Sequence, residues 1–197
     1  MTRLAIFDYG AGNIFSLKNS LEREGATVDV ITSMGQEYDG LLLPGVGNFD
    51  PAARRIPKES LLECVGESTP VLGICLGMEI FFDSSQEGTE RGLGIMGGQV
   101  VMLPQSMKIP HMGWNSLEIK RAGRLLDGVG NNSWVYFVHS YRAVPQNSDI
   151  ITAESDYGIR IPAVVEYGNY FGTQFHPEKS GSTGRIMMRN FIRECRK

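Results

Sequence analysis

The stretch Gly73-Ile74-Cys75-Leu76-Gly77 constrains this chain more than any other, because an apolar run, Val71 to Ile74, changes there into the helix-like Leu76 to Phe82. A cysteine at such a junction, with a glycine two residues away on each side, reads as a nucleophile elbow. That is a strained strand-to-helix turn, permitted only by small neighbours, which presents the side chain at the top of a sheet. The fold is then of the α/β kind, and acyl chemistry is expected at the cysteine. The strand end also sets the sulfur beside the first free N–H groups of the helix, whose partial positive charge is expected to favour thiolate over thiol. Taken alone, the pentapeptide is also compatible with an inert buried cysteine, so a base has to be found elsewhere.

The chain has three histidines, and His176 stands in Gly172-Thr173-Gln174-Phe175-His176-Pro177-Glu178-Lys179, after a strand-like run from Ala163 to Phe175. Proline at 177 biases His176 toward extended backbone, where residues i and i+2 point the same way, so the imidazole and the Glu178 carboxylate are expected to be neighbours. Such a carboxylate holds the ring in one tautomer while the other nitrogen deprotonates a thiol. A third element is Asp39-Gly40-Leu41-Leu42-Leu43-Pro44-Gly45-Val46-Gly47-Asn48, a buried-type strand emptying into a Pro/Gly-rich turn. Glycines there let the N–H groups of Val46 or Gly47 turn toward a ligand, and the N–H of Leu76 would be the second donor of an oxyanion hole. One such donor is worth roughly 3–4 kcal/mol in comparable acyl-transfer sites.

The wider pattern agrees. Leu4 to Phe7, Val28 to Ile31, Leu41 to Leu43 and Val71 to Ile74 are short β-type runs, with helical stretches from about Asn13 to Arg23 and Lys58 to Glu67 between them. This βαβα alternation predicts a mostly parallel sheet, whose ligands gather at the carboxyl ends of the strands, where Gly45 and Cys75 lie. Gly92 to Tyr141 reads as a small antiparallel extension, and Thr183 to Arg196 as a closing helix. The 197 residues, 42% of them hydrophobic, fit one domain that buries roughly 70% of the surface of its unfolded chain. A net charge of −3 with scattered basic residues gives nucleic-acid binding little support. The apolar runs are far short of a membrane span, and Asp8 cuts the first one off, so no membrane association and a cytoplasmic location are expected. Cys64, Cys75 and Cys195 are odd in number and widely spaced, against a disulfide framework or a zinc site; Cys64 and Cys195 read as structural helix residues. Gly10-Ala11-Gly12-Asn13-Ile14-Phe15 imitates a dinucleotide fingerprint, but Phe15 stands where close helix–strand packing demands a small residue. No cofactor and no metal are expected; His139 is expected to shape the pocket, and His111 to satisfy a local hydrogen bond or face a partner.

In this order, Pro-Gly-Val-Gly, Gly-Ile-Cys-Leu-Gly-Met and His-Pro-Glu resemble the class I (triad) glutamine amidotransferases, over nearly the whole chain. Within that family, Lys108-Ile109-Pro110-His111-Met112-Gly113-Trp114-Asn115, Tyr136-Phe137-Val138-His139-Ser140-Tyr141 and Asp8-Tyr9-Gly10-Ala11-Gly12-Asn13 resemble the branch that serves imidazole glycerol phosphate synthase in histidine biosynthesis. The resemblance implies one glutamine amidotransferase domain over residues 1–197, a three-layer α/β sandwich with a mostly parallel central sheet. It implies hydrolysis of glutamine by Cys75, His176 and Glu178, with Gly47, Glu79, Ser140 and Tyr141 binding the substrate. It also implies a heterodimer with a (β/α)8-barrel synthase subunit that receives the ammonia; Asn13, Trp114, Asn115, Tyr136 and Lys179 are candidates for that interface and its ammonia gate. One departure stands out. The residue four after the nucleophile is commonly glutamine in this family and here is Glu79, which keeps an acceptor and adds a charge suited to the substrate ammonium, or else faces solvent from the first helical turn. The rival readings are the glutaminase of pyridoxal phosphate synthase, a non-catalytic regulatory module on the same fold, and a cysteine hydrolase or chaperone of related fold.

Overall fold

The computed structural model describes residues 2–66 and 68–196. Short apolar runs alternate with amphipathic helices through the first half: β1 (Arg3–Phe7), α1 (Ile14–Arg23), β2 (Thr27–Ile31), β3 (Gly40–Leu43), α2 (Phe49–Arg55), α3 (Lys58–Val65), β4 (Val71–Ile74) and α4 (Leu76–Glu79). The second half is strand-rich: β5 (Ser84–Ser85), β6 (Gly98–Met102), β7 (His111–Ser116), β8 (Glu118–Ile119), β9 (Trp134–His139), β10 (Tyr141–Pro145), β11 (Ile151–Asp156), β12 (Arg160–Tyr167) and β13 (Tyr170–Thr173), closed by α5 (Gly181–Glu194).

The main sheet has the order β2-β1-β3-β4-β13-β12-β11-β8. It is parallel from β2 through β13 and antiparallel beyond. Alternation along β1 shows why helices must cover both faces. Leu4 and Ile6 pack with Leu17 and Leu21 of α1 and Met188 and Phe191 of α5, whereas Ala5 and Phe7 pack with Ala52 of α2 and Leu61 of α3. Side chains of successive strand residues point to opposite faces, so a run apolar at every position is stable only between two layers. The expected α/β architecture with a mostly parallel sheet is the one observed. Among the described residues no helix is long and apolar enough to cross a membrane.

Several local expectations change. Ala163 to Phe175 is a hairpin rather than one strand: the chain reverses at Gly168, φ +57°, and Asn169, between β12 and β13. Helix α4 stops at Glu79 instead of continuing to Phe82. Ile80, Phe81 and Phe82 are buried, and the carbonyls of Ile80 and Phe81 are taken by the N–H groups of Leu93, Ile95 and Met96. The segment from Gly92 to Tyr141 is antiparallel as expected, in β6 with β10 and β7 with β9, but its β8 joins the edge of the main sheet, and β5, just before the segment, pairs with β6 in parallel. Helix α2 appears where no helix was expected, α3 is described only to Val65 and its expected end at Glu67 lies outside the described residues, and α5 begins and ends two residues early.

Candidate active site

Strand β4 lies in the middle of the sheet between β3 and β13, with all four residues buried. It ends at Cys75, whose backbone takes φ 53° and ψ −108°, a costly conformation for a side-chain-bearing residue that persists only where its surroundings impose it. The surroundings are tight. A Cβ on Gly77 would lie 1.9 Å from the Leu43 carbonyl oxygen, and one on Gly73 would lie 2.4 Å from that of Gly77, while the Cys75 N–H donates to the Thr173 carbonyl at 2.7 Å. The turn can therefore form only with glycine on both sides of the cysteine.

His176 follows β13 in extended conformation, φ −100° and ψ 98°, its N–H donating to the Tyr136 carbonyl at 2.9 Å. Its Nδ1 lies 2.8 Å from Glu178 Oε1, both side chains being buried. The two residues meet through the 3-10 turn Pro177–Lys179, and not through the alternation of an extended chain that the sequence suggested. His176 Nε2 is buried and has no hydrogen-bond partner among the described residues. A ring fixed through one nitrogen, with the other uncommitted, has the constitution of a general base.

Cys75, Leu76, Glu79, Val46, Gly47, Ser140 and Tyr141 line one cavity of about 320 Å³, together with Asn48, Glu87, Pro110, Val138 and His139. A larger cavity of about 860 Å³, lined by Arg121, Arg124, Glu166 and Arg193 among others, lies toward the amino ends of the parallel strands and holds none of the residues singled out by motif. Size does not decide here; the strained cysteine does. Gly47 has φ +128° and Val46 is 43% exposed, so this turn is at the mouth of the smaller cavity.

The thiol does not behave as the sequence suggested. Burial pushes the Cys75 thiol well above its ordinary range, and the nearby carboxylates of Glu79 and then Glu178 add to the effect, against a weaker pull from the Leu76 N–H. Helix α4 has a single turn, so its N-terminal field is too slight to outweigh desolvation. The free chain holds a thiol, with Sγ 3.8 Å from the Val138 carbonyl oxygen. Glu79 does not face solvent either. It is 5% exposed, and burial raises its carboxyl to about 7 against the lowering hydrogen bond from Gln174.

Gln174 is the residue that motif reading missed. Fully buried, it donates from Nε2 to Glu79 Oε1 at 2.9 Å and approaches Cys75 Sγ at 3.9 Å, and its Oε1 has no partner among the described residues. Its one signal in the sequence is a primary amide two residues before His176, just past the end of β13. His139 lines the cavity as expected and is hydrogen-bonded to His111. Cys195 is buried, but Cys64 is exposed on α3, where the sequence suggested a structural role. Among the described residues no group of three or more His, Cys, Asp or Glu side chains is placed to hold a metal ion.

Of the residues suggested for a partner surface, Asn13, Trp114 and Lys179 are exposed, and Asn115 and Tyr136 are half-buried. Trp114 is 53% exposed and packs edge-to-face on Tyr136, its register partner across β7 and β9, with ring centroids 6.0 Å apart. Lys179 and Asn13 are exposed, the latter capping α1 by accepting from the Ser16 N–H at 3.1 Å. Asn115 is half-buried, and its Nδ2 donates to the Asp156 carbonyl at 2.8 Å.

Residues 5–195 match the model of the family described as Glutamine amidotransferase class-I. The chain is 43% identical to the imidazole glycerol phosphate synthase subunit HisH of Geobacillus thermodenitrificans over 98% of its own length and 96% of that protein's. It is likewise 43% identical to the subunit of the same name from Halobacterium salinarum, over 98% and 93%. The structure of PurLQS from Thermotoga maritima superposes with a TM-score of 0.78 over 98% of this chain and 99% of that one, at 19% identity, a likeness of fold alone.

Proposed function

Since the chain belongs to the class I glutamine amidotransferase family, we propose that it is the glutaminase subunit of an imidazole glycerol phosphate synthase, one domain over residues 1–197. It hydrolyses L-glutamine to glutamate and hands the ammonia to a synthase subunit. The observation that carries the reading is the strained Cys75 at the end of β4, with His176, held on Glu178 at 2.8 Å, following the neighbouring strand β13.

In this reading the Cys75 sulfur attacks the side-chain carbonyl of glutamine as its proton passes to His176 Nε2, while Glu178 stabilises the imidazolium that forms. The N–H groups of Val46 or Gly47 and of Leu76 stabilise the tetrahedral oxyanion. Collapse breaks the C–N bond; His176 returns the proton to the leaving nitrogen, ammonia departs, and a glutamyl thioester stays on Cys75. Water, deprotonated by the same ring, attacks the thioester, and glutamate leaves as the thiol is restored. Because burial and Glu79 keep the thiol protonated in the free chain, the proton transfer waits for bound substrate. Gly47, Glu79 and the main chain of Ser140 and Tyr141 hold the amino-acid end of glutamine.

Ammonia near neutral pH is mostly ammonium, which is no nucleophile, so it is best passed along a dry path to a second active site. The partner is a (β/α)8-barrel synthase subunit in a heterodimer, docked over Asn13, Trp114, Asn115, Tyr136 and Lys179, with Trp114 as an anchor to be buried on docking. The test is glutamine hydrolysis by the chain alone, with the synthase subunit, and with the subunit plus its ribonucleotide. Near-silence alone and a rise chiefly in kcat in the complex are expected, because an oxyanion hole acts on the transition state. Cys75→Ala should abolish hydrolysis and spare ammonia-driven synthesis; hydrolysis by Cys75→Ala would refute the assignment.

A further inference from the structure

The mechanism uses one of the three histidines. The other two, His111 and His139, face each other in register across β7 and β9 and are 3% and 5% exposed. Their hydrogen bonds run in a single direction. His139 Nδ1 lies 2.7 Å from the Tyr141 carbonyl oxygen, which can only accept, so the proton is on Nδ1 and the lone pair on Nε2. That lone pair meets His111 Nδ1 at 2.9 Å, so His111 carries its own proton on Nδ1 and donates it there. The lone pair left on His111 Nε2 faces Asn115 Nδ2 at 3.4 Å. The amide cannot be reversed, because its Nδ2 also donates to the Asp156 carbonyl at 2.8 Å while its Oδ1 accepts the Ser116 N–H at 2.8 Å. Nor is the His111 ring free to turn, stacked between Phe137 and Tyr157 with centroids 4.6 and 3.9 Å away at 21°.

We propose that His111 is a positioning residue whose Nδ1–H occupies the only acceptor of His139, locking that wall of the active-site cavity as a neutral ring. The inference rests on the glutaminase reading for its purpose but not for its geometry. The groups that face His139 are His111, the Tyr141 main chain and His176, and the carboxyls of Glu79 and Glu87 share its cavity. The carboxylates alone would draw a proton onto a free imidazole. A cation there would oppose the charge that His176 must take up in the reaction. With the lone pair spent, a proton can enter only by setting two N–H groups against each other; burial acts the same way, lowering His111 to about 4 and His139 to about 3.

The test uses the full chain labelled with nitrogen-15, in which three imidazoles are readily assigned by long-range proton–nitrogen correlation. His139 is expected as the neutral Nδ1–H tautomer, unchanged from pH 5.5 to 8.5. His111→Phe keeps a flat ring between Phe137 and Tyr157 but removes the donor. His139 should then be easier to protonate than in the unaltered chain, beginning to titrate toward pH 5.5 while burial still holds it below the ordinary histidine range, and glutamine hydrolysis by the complex should lose more at pH 5.5 than at pH 8.5. His111→Gln, whose amide can donate to Nε2, should restore the flat profile. A purely structural role predicts a loss equal at every pH. An Nε2–H tautomer in the unaltered chain, titration of His139 there, or a His111→Phe chain in which His139 is no easier to protonate would each overturn the lock. Absence of glutamine hydrolysis at any pH would overturn the glutaminase reading instead, leaving the resonance test of the lock intact.

Discussion

Replacing Glu79 by glutamine isolates the effect of one buried charge on the nucleophile. Gln174 Nε2 lies 2.9 Å from Glu79 Oε1 and 3.9 Å from Cys75 Sγ, so carboxylate and sulfur are at most about 7 Å apart. At an effective dielectric constant near 20, two unit charges at that separation repel by about 2 kcal/mol, roughly 30-fold in the thiolate fraction. A thiolate made easier to form is also less nucleophilic, with a Brønsted slope near 0.45, which reduces the expected gain in rate to about sixfold. A glutamine side chain at 79 still accepts from Gln174, so the shape of the site is retained. The assay is alkylation by iodoacetamide, which carries no charge, followed by mass spectrometry of the Cys75 peptide, because exposed Cys64 is labelled as well. Since Glu79 titrates at about 7, the gain should be full at pH 8.5 and absent at pH 5.5, where the carboxyl is already neutral. Glutamine itself brings an ammonium that an anionic Glu79 would bind, so KM for glutamine should rise about tenfold in the variant while kcat changes little. Alkylation that is unchanged or slower at pH 8.5 would refute the charge argument, and an unchanged KM would refute the ammonium contact.

The same carboxyl makes stability depend on pH. The folded chain holds the Glu79 proton up to about 7, against an ordinary value of 4.5, so this stabilisation is complete below about pH 4.5 and is lost as pH rises through 7. Urea unfolding should therefore show Glu79→Gln more stable than the unaltered chain by about 3 kcal/mol at pH 8.5 and little different at pH 4.5; equal stability at both would contradict the buried, raised carboxyl. Gly77→Ala would place a Cβ 1.9 Å from the Leu43 carbonyl oxygen. Thermal unfolding should show it destabilised by about 3 kcal/mol, some 10 °C for a domain of this size, and a shift under 2 °C would mean that the elbow is not tightly packed.

The local part of this protein was legible in its sequence because its causes are local. Glycines two residues either side of Cys75 announce a close approach of backbones, and apolar runs alternating with helical patterns require a sheet covered on both faces. Proline after His176 does set an extended backbone at the ring, even though Glu178 reaches it through a turn. Tertiary structure decided whatever depends on burial or on partners distant in the chain. Cys75 at a helix start suggests a thiolate, but only the packing of β4 between β3 and β13 shows how thoroughly water is excluded, and desolvation outweighs one helical turn. Glu79 on a four-residue helix could face either way; its contact with Gln174, 95 residues on, turns it inward and raises its pKa. His111 and His139, 28 residues apart, acquire fixed protons only because β7 and β9 pair in one register, and a shift of one residue would send the two rings to opposite faces. Residue type and spacing carry the shape of a turn; the charge state of a group is set by everything that surrounds it, and that is assembled only when the chain folds.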